Sequence, residues 1–88
     1  MKKITLTIES ASGLHARPAG TFVAKAQNFE AEIGIEKNGN TINGKSIIGI
    51  LGLAVGPGDE ITITADGSDE ELAISALERL VKEEIKHQ

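Results

Sequence analysis

Three stretches of this chain alternate aliphatic and polar residues. Ile4, Leu6 and Ile8 alternate with Thr5, Thr7 and Glu9; Ala31, Ile33 and Ile35 with Glu32, Gly34 and Glu36; Ile61, Ile63 and Ala65 with Thr62, Thr64 and Asp66. A period of two puts one kind of side chain on each face of a strand. Each stretch is therefore a strand with an Ile face to bury and a Thr/Glu face to leave wet. Strands of that kind fit an antiparallel sheet covered on one side only. With no cysteine to form disulfides and only Phe22 and Phe29 as aromatic residues, the core must be aliphatic.

Between the strands the period changes. Ala19, Phe22, Val23 and Ala26 recur at helical spacing, with Pro18 in the first turn where proline is tolerated, so a helix is expected from about Ala16 to Asn28. Asn38-Gly39 signals a hairpin, because a type I′ turn needs positive φ at both central residues. A short strand from Asn40 to Asn43 follows. Ile47 to Ala54 is apolar nearly all round and reads as a short buried helix beginning after Ser46 and ended by Gly56-Pro57-Gly58. Ser68-Asp69-Glu70-Glu71 reads as a capping box opening an amphipathic helix to about Ile85. The order is βαββαβα, an α+β arrangement expected to form one domain over residues 1–88.

The net charge of -4 argues against nucleic acid as a partner. Its distribution says more. No acidic residue lies from Ser10 to Phe29 or from Lys37 to Gly58, while acids crowd Asp59 to Glu84. The two acid-free segments favour an anion or an acidic partner on the face they form. No stretch approaches the ~20 apolar residues of a membrane span, and nothing resembles a signal peptide, so a cytoplasmic protein with no membrane contact is expected.

Each acid-free segment holds a phosphate-like motif. Gly39 to Ser46, GNTINGKS, fits the pattern G-x-x-x-x-G-K-[ST] of nucleotide-binding loops. That loop requires a buried strand leading into the glycines and a long helix after them. Here the strand before Gly39 is amphipathic, and Thr41 and Ile42 belong to the next strand. ATP binding is therefore not expected. The second motif is SGLHARPA. His15 precedes a helix start, where free N–H groups and the helix dipole favour an anion. Arg17 offers a bidentate fork for phosphate oxygens, and Ser12 a hydroxyl. Imidazole, with a reference pKa of about 6.5, is nucleophilic near neutral pH. These residues alone leave His15 either a phosphate acceptor or an ordinary surface residue. A metal site is not expected, since the only other histidine is His87 and no paired ligand spacing exists.

SGLHARPA resembles the active-site signature of the HPr family, the histidine-containing phosphocarriers of the bacterial sugar phosphotransferase system. GKSIIGILGL, some thirty residues on, resembles that family's second signature. The resemblance covers the whole chain. It implies an open-faced β-sandwich, with three helices on one side of a four-stranded antiparallel sheet. It implies a carrier with no cofactor and no independent turnover, whose His15 takes phosphate on Nδ1 from phosphorylated enzyme I and passes it to IIA components of sugar permeases. Arg17 matches the family's phosphate-contacting arginine. Ser46 matches a serine that a kinase/phosphorylase modifies in many members, so GKS would present a phosphorylation site instead of binding ATP. Many relatives have glycine where this chain has Ala54, leaving Gly52 and Gly56 to end the short helix; several have methionine at the positions of Ile48 and Leu51. Ile47, Ile48 and Leu51 are either core or an exposed docking edge, and the docking reading is taken. A monomer is expected. The alternative is a regulatory module, governed by Ser46, that binds a catabolite-control transcription factor or an enzyme.

Overall fold

The computed structural model describes all residues 1–88. The strands are β1 (Lys2–Thr7), β2 (Glu32–Lys37), β3 (Asn40–Asn43) and β4 (Glu60–Asp66). The helices are α1 (Ala16–Ala26), α2 (Ile47–Gly52) and α3 (Glu70–Arg79). After α3 the chain continues as a π turn, Leu80–Glu84, and a 3₁₀ turn, Ile85–His87.

The four strands form one antiparallel sheet in the order β1-β4-β2-β3. Alternation sets the register. Ile4 pairs with Ile63, Leu6 with Ile61, Ile33 with Ala65 and Ile35 with Ile63. These residues face a core completed by Ala19, Phe22, Val23 and Ala26 of α1, Ile50 of α2, Ala73 and Leu77 of α3, and Leu80, Val81 and Ile85 beyond it. The other face is bare, and there the Thr5 and Thr62 hydroxyls meet at 2.9 Å. The open-faced α+β arrangement expected from the sequence is the one observed.

Asn38 and Gly39 take φ 52 and 84, the two positive values a type I′ turn requires. Three local expectations are corrected. α2 is not buried all round: it ends at Gly52, and only Ile50 is buried. Its end is not made by Gly52 or Gly56, because Ala54 itself adopts φ 54. The capping box fails at its first residue. Asp69, not Ser68, is the N-cap of α3, and its carboxylate turns away to accept the N–H groups of Glu30 at 2.8 Å and Ala31 at 2.9 Å. Glu70 still reaches back, to the N–H of Gly67 at 3.0 Å.

Candidate functional site

The loop from Ser10 to Leu14 delivers His15 to the start of α1. Ser10 is the one buried polar side chain. Its hydroxyl donates to the main-chain oxygen of Gln88 at 2.5 Å, and its carbonyl accepts the N–H of Gly13 at 3.0 Å. Gly13 takes φ 63. Leu14 is buried and donates its N–H to the carbonyl of Val55 at 3.0 Å. The next residue is thereby pushed outward. His15 is exposed, with extended backbone as the N-cap of α1, and its side chain caps nothing. Its carbonyl accepts the first helical bond, from Ala19 at 2.8 Å.

First-turn N–H groups of a helix have no partner within it, and no side chain or acidic residue satisfies those of α1. Pro18 removes one such donor at no cost, since its N–H would be unpaired anyway. Arg17 is exposed and belongs to none of the protein's ion pairs. A free guanidinium, a free imidazole and the positive end of a helix dipole therefore share one short segment. That arrangement can accept a dianion without first breaking a salt bridge. Ser12 is exposed nearby, but its hydroxyl donates to the Gln88 main-chain oxygen at 3.1 Å. It must release that bond to reach a phosphate.

The second motif folds as a helix cap. The half-buried Ser46 is the N-cap of α2, its hydroxyl accepting the N–H of Gly49 at 3.0 Å. Gly44 serves sheet packing and not nucleotide binding: a Cβ there would lie 2.6 Å from Cγ2 of Ile33. Lys45 is tied to the carbonyl of Phe29 at 2.6 Å. Residues Asn40 to Asn43 lie in β3 and cannot wrap a phosphate. α2 leaves Ile47, Ile48 and Leu51 exposed, Ile48 to 84%. No group of three or more His, Asp or Glu residues is placed to hold a metal ion.

Sequence reasoning passed over Lys37 and Asp59. Lys37 Nζ lies 2.7 Å from the Ala54 carbonyl and 3.0 Å from Asp59 Oδ2. That same Oδ2 accepts the N–H of Gly56 at 2.8 Å. The Gly56 bond, and then Lys37, hold the Asp59 carboxyl below the usual carboxylate range. Only the acid-free run ending just before Asp59 hinted that this acid stands apart.

The family described as PTS HPr component phosphorylation site matches residues 2–83. The chain is 47% identical over 73 residues to the HPr-like protein Crh of Halalkalibacterium halodurans, covering 83% of this chain and 87% of that protein. Among solved structures it is similar to HPr-C-His from Thermoanaerobacter tengcongensis, at 42% identity and TM-score 0.95, covering 100% of this chain and 99% of that one. It is likewise similar to the phosphocarrier protein HPr of Bacillus anthracis, at 49% identity and TM-score 0.87, covering 91% and 95%.

Proposed function

The chain belongs to the HPr family of phosphotransferase-system components, and on that premise we propose that it relays a phosphoryl group from phosphorylated enzyme I to sugar-specific IIA components through His15. In the first step a His15 ring nitrogen, Nδ1 by resemblance to the family, attacks phosphorus on the phosphohistidine of enzyme I. A phosphorus–nitrogen bond forms on His15 as the donor's breaks, and the donor imidazole leaves neutral after taking a proton. The second step repeats this with the IIA nucleophile. Arg17 and the free N–H groups of α1 hold the phosphoryl oxygens, and Ser12 joins them once freed from Gln88. Ile47, Ile48 and Leu51 dock the partners. The carrier works in the cytoplasm, where its partners act.

One observation carries this reading: His15 and Arg17 are both exposed and unpaired at an uncapped helix start. Incubation with phosphoenolpyruvate, Mg²⁺ and a bacterial enzyme I tests it by intact mass. One phosphate should be gained, labile to acid and stable to alkali. His15→Ala should gain none, and His87→Ala should behave as wild type. Phosphate on His87 would remove His15 from the role.

A second reading has its own support. A curated relative at 47% identity bears the name HPr-like protein Crh and not phosphocarrier, and Ser46 caps the helix that carries the exposed apolar residues. On this reading phosphorylation of Ser46 by a kinase/phosphorylase governs binding to a regulatory partner such as a catabolite-control transcription factor. Acid-labile phosphate on His15 separates the two.

A further inference from the structure

His15 and the docking helix α2 stand on different elements, joined by the segment from Leu53 to Asp59. The His15 loop rests directly on that segment. Leu14 bonds the Val55 carbonyl at 3.0 Å. Gly13 presses so close that a Cβ would lie 2.3 Å from Val55 O and 2.8 Å from Gly56 Cα. Further back, the Ile8 N–H meets Asp59 O at 2.9 Å and the Gly58 N–H meets Ile8 O at 2.8 Å. Wherever the segment lies, the loop follows.

The segment is not in a relaxed conformation. Ala54 holds the left-handed backbone that favours glycine. One side chain spans it from the sheet. Lys37, the last residue of β2, is only 18% exposed along its side chain. Its ammonium has three donors. They face Ala54 O at 2.7 Å, Leu53 O at 3.4 Å and Asp59 Oδ2 at 3.0 Å. The first two are carbonyls at the end of α2, where a cation also suits the helix dipole. The third closes the loop through Gly56. Lys37 thus grips both ends of the segment that carries α2 on one side and the His15 loop on the other.

We propose that Lys37 is a positioning residue for phosphoryl transfer: its grip on Ala54 and Asp59 fixes where α2 stands relative to His15. The inference rests on the phosphocarrier reading. A partner docked on Ile47, Ile48 and Leu51 must bring its phosphohistidine within reacting distance of His15 in the same complex. Transfer depends steeply on that distance and alignment. Loss of the grip leaves the apolar residues available for docking but places His15 wrongly beneath a docked partner. The defect therefore falls on the transfer step and not on association.

Single-turnover transfer from phosphorylated enzyme I, measured over a range of enzyme I concentrations, tests this. Lys37→Met should lower the rate at saturation by about 10-fold, with the half-saturating concentration nearly unchanged. Lys37→Arg, which restores a cation with several donors, should recover most of the rate. Lys37→Gln provides a second neutral variant if Lys37→Met does not fold. In the folded neutral variant, hydrogen exchange at the Leu14 N–H should quicken while that at Ile63 stays protected. A saturating rate within about 2-fold of wild type, or a loss confined to half-saturation, overturns the inference. Wild type that takes no phosphate on His15 overturns the carrier reading itself, whereas a phosphorylated wild type beside an indifferent Lys37→Met overturns this inference alone.

Discussion

Asp69 holds Ala31 across the molecule: its carboxylate accepts the Ala31 N–H at 2.9 Å and the neighbouring Glu30 N–H at 2.8 Å. The start of α3 is thereby fixed to the entry of β2. These bonds favour the charged form, the Glu30 bond most, and hold the carboxyl below its ordinary value of about 4. A lowered folded pKa stabilises the protein above the unfolded value, and that contribution is lost as pH falls through the folded one. Asp59 and Glu70 are lowered as well and act in the same direction. Thermal melts from pH 7 to pH 2 should show Tm falling below about pH 4. Asp69→Asn should melt lower at pH 7 and lose less on acidification. Parallel curves for the two proteins would show that Asp69 contributes nothing to the slope.

Arg17 faces solvent and forms no ion pair, so its removal should change stability by less than about 1 kcal/mol. Transfer to a IIA domain should slow in Arg17→Ala. Arg17→Lys should also be slow, because it restores the charge without the planar fork. Melting temperature and transfer rate measured on the same preparations check this. An undiminished rate in Arg17→Ala would take Arg17 out of the phosphate site.

Ser46→Ala deletes the acceptor that Gly49 uses and should cost about 1 kcal/mol. It should still allow phosphate on His15. Ser46→Asp keeps a capping acceptor and adds a charge that the start of α2 tolerates, so its melting temperature should match or exceed that of wild type. The same charge sits beside exposed Ile47 and Ile48, where a docking partner must desolvate it. The apparent KM for enzyme I should rise. A wild-type KM in Ser46→Asp would mean that partners do not dock there.

Ala54 is exposed and takes φ 54, so its methyl group packs little while its backbone is strained. The left-handed conformation costs a non-glycine residue about 1–2 kcal/mol, and glycine's greater unfolded freedom gives back about half of that. Ala54→Gly should therefore raise stability by about 0.5–1 kcal/mol, seen as a Tm increase of a few degrees. A drop in Tm would show that glycine's greater unfolded freedom outweighs the strain relieved at residue 54.

What was legible in the sequence was local. Alternation of Ile with Thr and Glu gave the strands, and Asn38-Gly39 the hairpin, because both signals reside in adjacent residues. That the helix start offers His15 and Arg17 no acidic partner of its own followed from a first turn without acids. What stayed hidden depends on residues distant in the chain. Ser68 carries the capping pattern, yet Asp69 became the N-cap because the loop before β2 needed its carboxylate. Ser12 looked free until Gln88 closed over it. Lys37 and Asp59 form an ion pair only after β2 and the segment following α2 come together.

The strand order has a consequence for how the chain acquires its shape. β4 is the sole bridge between β1 and the β2–β3 hairpin, so the hairpin is the only part of the sheet that neighbours in sequence can build. During synthesis, Ile4 and Leu6 have no strand to pair with until their partners Ile63 and Ile61 have emerged. Closure is long-range and correspondingly slow. Until then the first strand is an unprotected apolar edge, the stage at which a nascent chain of this kind is most open to pairing with another copy of itself.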